Sequence, residues 1–176
     1  MKTEARAFLR DSALLFAVAV VDQAVKAGVR RAPRGTVLFS CGLFSVCREE
    51  NTGGAFGMFR AHPEWISAAS VLLIVSLSVY LYREYVLKRP RKVFRVAWIL
   101  LFGGGAGNAA DRLLRGSVTD YIQLRFIPFP LFNLADVFIV TACLLFVLYI
   151  LWEGRENDQK QADRENPTGG RHGQAS

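Results

Sequence analysis

Four stretches of the chain are apolar for long enough to cross a membrane: Leu9 to Val29, Trp65 to Tyr82, Val93 to Leu114 and Leu134 to Trp152. A hydrocarbon core about 30 Å thick takes about 20 residues of helix, so each reads as a transmembrane span. Between the first two the pattern changes. Val37-Leu38-Phe39 and Leu43-Phe44-Ser45-Val46 are short β-prone runs in a stretch rich in Val, Phe, Thr, Ser and Gly. The connection at 30–64 is therefore expected to carry a small sheet, with a short outer helix. Beyond Trp152 the apolar pattern stops, and Pro167, Gly169-Gly170 and mixed charges predict a disordered tail. The predicted fold is all-α integral membrane. One domain over 1–152 holds four transmembrane helices and a small extracytoplasmic β-sheet, and a polar tail follows over 153–176.

Composition agrees with this reading, and charge gives it an orientation. Hydrophobic residues make up 52% of the chain, with 13 Phe and a mean hydropathy of +0.23. The net charge is +7, but the basic residues lie beside apolar runs rather than in one stripe interleaved with aromatics. That disfavours a nucleic-acid partner and makes them topology signals. Arg83, Lys88, Arg89, Arg91, Lys92 and Arg95 crowd the second connection, and Lys2, Arg6 and Arg10 precede the first span. The positive-inside rule makes both regions, and both termini, cytoplasmic, so 30–64 and 115–133 face outward. Trp65 and Tyr80, Tyr82 and Tyr85 suit the two interfaces of the second span. The first run has the basic start of a secretory leader, yet it carries Asp22 and Lys26 and lacks a small-residue cleavage site, so it is read as retained. Cys41, Cys47 and Cys143 are too few and too irregular for a metal site or disulfide framework, although Cys41 and Cys47 can pair in an oxidising compartment.

Polar residues inside the spans are the chemical candidates, because each is costly in hydrocarbon unless paired or solvated. At about 1.5 Å per residue, Asp22 lies about 20 Å beyond Leu9 and Asp111 about 27 Å beyond Val93, both towards the outer side. Asn133 and Asp136 stand at the outer mouth of the last span, and Asp120 lies in the connection leading there. Four carboxylates are thus expected in one outer layer. Gly104, Asn108, Asp111, Arg112 and Arg115 fall on one side of the third span, and Gly103 and Gly107 make a small-residue pair for close helix approach.

This layer offers carboxylates, amides and an Arg; His62 and His172 lie in loop and tail, and no Ser has a nucleophile context. Two close Asp share a proton, so one can activate water while the other protonates an oxyanion or leaving amine, with no metal or cofactor. Structural readings stand beside this. Asp22 and Lys26 suit an i,i+4 ion pair. Asn133 and Asp136 suit an N-cap and its third residue. Asp111 and Arg112 suit a buried ion pair, and Asp120 suits a turn. A metal-dependent lipid head-group transferase holding Mg²⁺ on these Asp, and a noncatalytic scaffold or proton pathway, are the other classes. The nearly apolar inner halves of the spans disfavour a pathway. The residues narrow the site to a layer without choosing the pair.

Five motifs in order resemble the type II, or prolipoprotein, signal peptidases: Asp22-Gln23-x-x-Lys26, Asn51-Thr52-Gly53-Gly54-Ala55-Phe56, Gly103-Gly104-x-x-Gly107-Asn108-x-x-Asp111-Arg112, Val118-Thr119-Asp120, and Phe132-Asn133-Leu134-Ala135-Asp136. The resemblance implies an aspartyl endopeptidase of the bacterial inner membrane, with Asp120 and Asp136 as the catalytic pair and the outer loop as a β-cradle. It implies that Asn51, Gly53, Asn108, Arg112 and Asn133 surround the substrate or orient the pair. Asp22 and Lys26 mainly maintain the fold, and Asp111 joins them as a structural polar residue. The implied substrate is a prolipoprotein whose Cys carries diacylglycerol, cut on the amino side of that Cys by a monomer in contact with membrane lipid. Gly54, where the family often has Ala, and Glu49-Glu50 depart from the pattern and bear on the loop's substrate contacts.

Overall fold

The computed structural model describes residues 2–52 and 91–165. The span expected at 65–82 with its aromatics, Gly53, His62 and the tail from 166 onward lie outside the described residues. Within them are three helices long and apolar enough to cross a membrane: α1 Lys2–Val29, α2 Lys92–Arg115 and α3 Leu134–Glu165. Two of them outrun the expected spans. α1 starts at Lys2 rather than Leu9, and α3 continues through Glu165 rather than giving way to disorder at Glu153. An apolar helix that is already nucleated extends cheaply into polar sequence. Here the extension gains i,i+4 contacts from Lys160 to Glu156 at 2.9 Å and from Gln161 to Glu165 at 3.4 Å. Arg91 adds an ion pair with Glu156 and stacks 4.6 Å over the Trp152 ring.

α2 lies between α1 and α3, which barely touch each other. This position explains its composition. Its apolar 18-residue stretch has a mean hydropathy of 1.3 against 2.6 for that of α3, because it faces protein on two sides and can carry glycine and polar groups where a lipid-facing helix cannot. Residues four apart share a face, so the helix presents two rows. Gly103, Gly107 and Asp111 face α1, whose Val18 and Asp22 occupy the space that a β-carbon on Gly103 or Gly107 would need. Gly104, Asn108 and Arg112 turn towards α3 and the cavity beside it; a β-carbon on Gly104 would lie 2.6 Å from the Ala135 carbonyl oxygen. The single polar face read from the sequence is thus two faces. At the end away from the sheet, Phe94, Trp98 and Phe102 pack with Phe8, Phe146 and Tyr149. Asp11 is buried there and accepts Arg95 Nε and Nη2, each at 2.7 Å, an α1–α2 ion pair that sequence reasoning did not single out.

Among the described residues the sheet is three-stranded and antiparallel in the order β1 (Val37–Ser40), β2 (Phe44–Asn51), β3 (Val118–Leu124). Its first two strands were expected and β3 was not. Asp120, readable as a turn residue, lies mid-strand opposite Glu49. Gly116 makes the turn possible: at φ 72° it ends α2, donates its N–H to the Arg112 carbonyl and lets the chain reverse into β3. Arg48 ties the sheet to α1 by donating to the carbonyls of Arg30 and Ala32 just past the helix. Cys41, Cys47 and Cys143 are free; Cys47 lies opposite Val37 and Cys41 next to Phe44 in the hairpin, so Cys41 and Cys47 do not pair.

Because Gly104 meets backbone rather than a movable side chain, Gly104→Ala is expected to separate α2 from α3 and lower stability by about 1–3 kcal/mol. Gly154→Ala, with nothing within 4 Å, is the control and keeps or raises it. Thermal unfolding in detergent measures both, and equal midpoints would remove the close-approach argument.

Candidate active site

The site forms where β3 and the start of α3 meet the sheet end of α1 and α2. Phe132 is pinned to β3 by N–H bonds from Tyr121 and Ile122 to its carbonyl and from its own N–H to Ile122. The next residue, Asn133, therefore arrives beside Asp120. Asn133 then caps α3 reciprocally: its Oδ1 accepts the Asp136 N–H at 3.1 Å, and Asp136 Oδ2 accepts the Asn133 N–H at 3.0 Å. This is a capping box with Asp in place of Glu. The cap read from the sequence is real, and it coexists with a second task. With its oxygen committed to Asp136, Asn133 must turn its amide nitrogen the other way, where it donates to Asp120 Oδ1 at 2.7 Å.

Asp120 and Asp136 line one cavity of about 520 Å³ together with Asn51, Asn108 and Arg112. β3 alternates, so Val118, Asp120 and Leu124 face this cavity, while Thr119 and Tyr121 serve the helices behind it. Asn51 lies opposite Val118 on β2, one step along the same face from Asp120, and donates to Asp120 Oδ2 at 2.9 Å. Asp136 Oδ1 accepts the Asn108 amide at 2.8 Å. Each carboxylate thus receives two N–H groups. Burial nonetheless pushes the Asp120 carboxyl up to about 6, helped by the Asp136 charge and opposed by the Asn51 and Asn133 amides. Most of the remaining wall is apolar, formed by Phe129, Leu131, Phe132, Val137 and Val140, with Thr141 beside them.

Behind the cavity lies a buried ionic cluster. Lys26 contacts Asp22 at 2.8 Å, Asp111 at 3.4 Å and Asn108 Oδ1 at 2.7 Å, with all three charged groups fully excluded from solvent. The i,i+4 pair of Asp22 and Lys26 is present, but Asp111 does not take Arg112 as its partner. It binds Arg30 at 3.1 Å, Arg115 at 3.5 Å and the Thr119 N–H at 3.1 Å, because its row faces α1 while Arg112 faces the cavity. Asp22 also accepts the Ala135 N–H at 3.1 Å, and Gln23 binds the Gly107 carbonyl at 2.9 Å. Arg30 and Tyr121 were missed as candidates. Arg30 falls just beyond the apolar run, and a lone Tyr in a connection carries no signal until Leu134 is found donating to its hydroxyl.

A helical membrane protein in which amides hold two carboxylates over a buried ion cluster, under a small sheet, is the class this geometry defines. The family model for signal peptidase (SPase) II matches residues 14–152, and the chain belongs to that family. A lipoprotein signal peptidase of Dehalococcoides mccartyi (strain CBDB1) is 35% identical over 119 residues, covering 66% of this chain and 73% of that protein. One of Parasynechococcus marenigrum (strain WH8102) is 35% identical over 144 residues, covering 81% and 88%. A solved bacterial membrane enzyme shares the fold with a TM-score of 0.71 at 20% identity, covering 95% of this chain and 94% of its own.

The raised Asp120 carboxyl has a definite sign. Asp120 is easier to protonate folded than unfolded, so its stabilising contribution is complete below its ordinary value of 3.8 and is lost as pH rises through about 6. Ionised at neutral pH, it costs the fold about 3 kcal/mol. The carboxyl infrared band that Asp120→Asn abolishes is expected to titrate near pH 6. Asn51→Leu, which removes a donor while keeping the site covered, moves it higher. Titration near pH 4 would contradict the burial argument.

Proposed function

We propose that this chain cleaves the signal peptide of diacylglyceryl-modified prolipoproteins on the amino side of the lipidated Cys, with Asp120 and Asp136 as the catalytic pair. As a signal peptidase II it is an aspartic-type hydrolase acting on lipoprotein signal peptides. The observation that carries the residue assignment is that both carboxylates face one cavity that is polar at their end and apolar along Phe129, Leu131 and Val140. Asp120, held towards its acid form, supplies the proton. Asp136, steadied by Asn108 and the Asn133 N–H, takes one from water. The diacylglyceryl chains lie along the apolar wall, where Val137 and Val140 are open towards lipid and hold the scissile bond at the polar end. Arg112, Asn51 and Gly53 surround the substrate.

In this reading 65–82 is a fourth span, both termini are cytoplasmic, the cavity opens at the extracytoplasmic face of the bacterial inner membrane, and one copy suffices.

Asp120→Asn and Asp136→Asn are each expected to insert and fold yet lose at least about a thousandfold of the activity on a diacylglyceryl prolipoprotein, read as a gel shift. EDTA leaves the wild type active. Full processing by either variant would remove the assignment, and loss in EDTA would favour the metal reading.

A further inference from the structure

We propose that Lys26 is a positioning residue for Asp136, acting through Asn108; this rests on the reading of Asp120 and Asp136 as the reacting pair. Lys26 lies wholly inside the protein, and its ammonium carries three N–H groups and no acceptor. Two of its contacts, Asp22 and Asp111, balance its charge. The third is not an ion pair: the ammonium lies 2.7 Å from Asn108 Oδ1. The oxygen and nitrogen of an amide lie in one rigid plane on opposite sides of its carbon, so whatever claims the oxygen also aims the nitrogen. Lys26 can only donate, hence Asn108 must give it the carbonyl, and the Asn108 NH₂ is left pointing at Asp136 Oδ1, 2.8 Å away.

The reversed amide would set a carbonyl oxygen against the Asp136 carboxylate and an NH₂ against the ammonium, two repulsive contacts at once. Asn133 gives a second vote for the observed sense by donating to the same Asn108 oxygen, but at 3.1 Å and without charge. Asp22 and Asp111 hold the ammonium in place from opposite helices, α1 and α2. The ion cluster therefore does more than neutralise itself. It fixes which way a neutral side chain faces, and that side chain holds one of the two carboxylates.

The test is a cycle built on Asn108→Ala and on the charge-balanced pair Asp22→Asn with Lys26→Met, measured as kcat and KM on a diacylglyceryl prolipoprotein. A hydrogen bond to a charged group predicts a fall in kcat of about 10- to 100-fold for each arm, with KM within about twofold. The triple variant falls no more than about twofold below Asn108→Ala alone, because the pair acts only through that amide. Losses that multiply, or a change confined to KM, overturn the proposal. Should the charge-balanced pair fail to insert, Asp22→Asn with Lys26→Gln takes its place. It keeps an N–H near Asn108 without the charge and is expected to exceed the kcat of Asn108→Ala by at least about threefold; a kcat no higher overturns the proposal. Asp136→Asn is run alongside. If that variant is active, the pair itself is misassigned; if it is dead while the cycle is additive, only the role of Lys26 fails.

Discussion

Lys26, Asp22 and Asp111 are shut off from solvent within helices that cross a membrane, where an unpaired ion costs several kcal/mol. Each must therefore find its counter-charge and its remaining hydrogen bonds within reach, and that demand fixes how the elements assemble. Asp22 takes Lys26 from its own helix and the Ala135 N–H from α3. Asp111 takes Lys26 from α1, Arg30 from just past its end and the Thr119 N–H from β3. Helices with apolar surfaces gain little from hiding them from lipid, which is equally apolar, so polar contacts and close packing must choose the arrangement. The cluster makes that choice: satisfying its lone pairs brings α1, α2, β3 and α3 to one point.

The glycines of α2 are the geometric side of the same requirement. Only without a β-carbon at Gly107 does the Asp22 carboxylate reach its place, and only without one at Gly104 does the first turn of α3 come close enough for Asn108 to meet Asn133 and Asp136. Small residues on two faces let one helix serve two neighbours. The aromatic packing of Phe94, Trp98 and Phe102 fills the opposite end, where Asp11 and Arg95 pair.

Much of this was legible in the sequence because hydrophobic length and charge position are additive along the chain. The three described spans and the layer that gathers Asp22, Asp111, Asp120 and Asp136 follow from counting residues at a fixed rise, and the first two strands from β-prone composition. What was not legible depends on contacts between distant segments. β3 was missed because Thr119-Asp120 reads as turn chemistry, and only pairing with Glu49 and Glu50 makes it a strand. Asp111 was paired with its neighbour Arg112, although one residue turns a helix by about 100° and the two face different partners. Asp11 and Arg95 needed the packing of two helices to be seen as one ion pair. The helical stretch Glu153 to Glu165 escaped because a polar composition does not exclude a helix that a membrane span has already started.

The two readings weighed for Asn133 and Asp136, a helix cap and a catalytic layer, are not alternatives. The cap makes Asn133 present its oxygen to the Asp136 N–H, and this leaves its NH₂ for Asp120. Lys26 does the same to Asn108 from the other side. Both amides are committed by contacts that look purely structural, and in each case the committed half aims the free half at a carboxylate. An amide is neutral and therefore tolerable beside hydrocarbon, yet it transmits orientation as firmly as the group that grips it. A site so built places two acids at the edge of a membrane, with a neutral amide holding each of them.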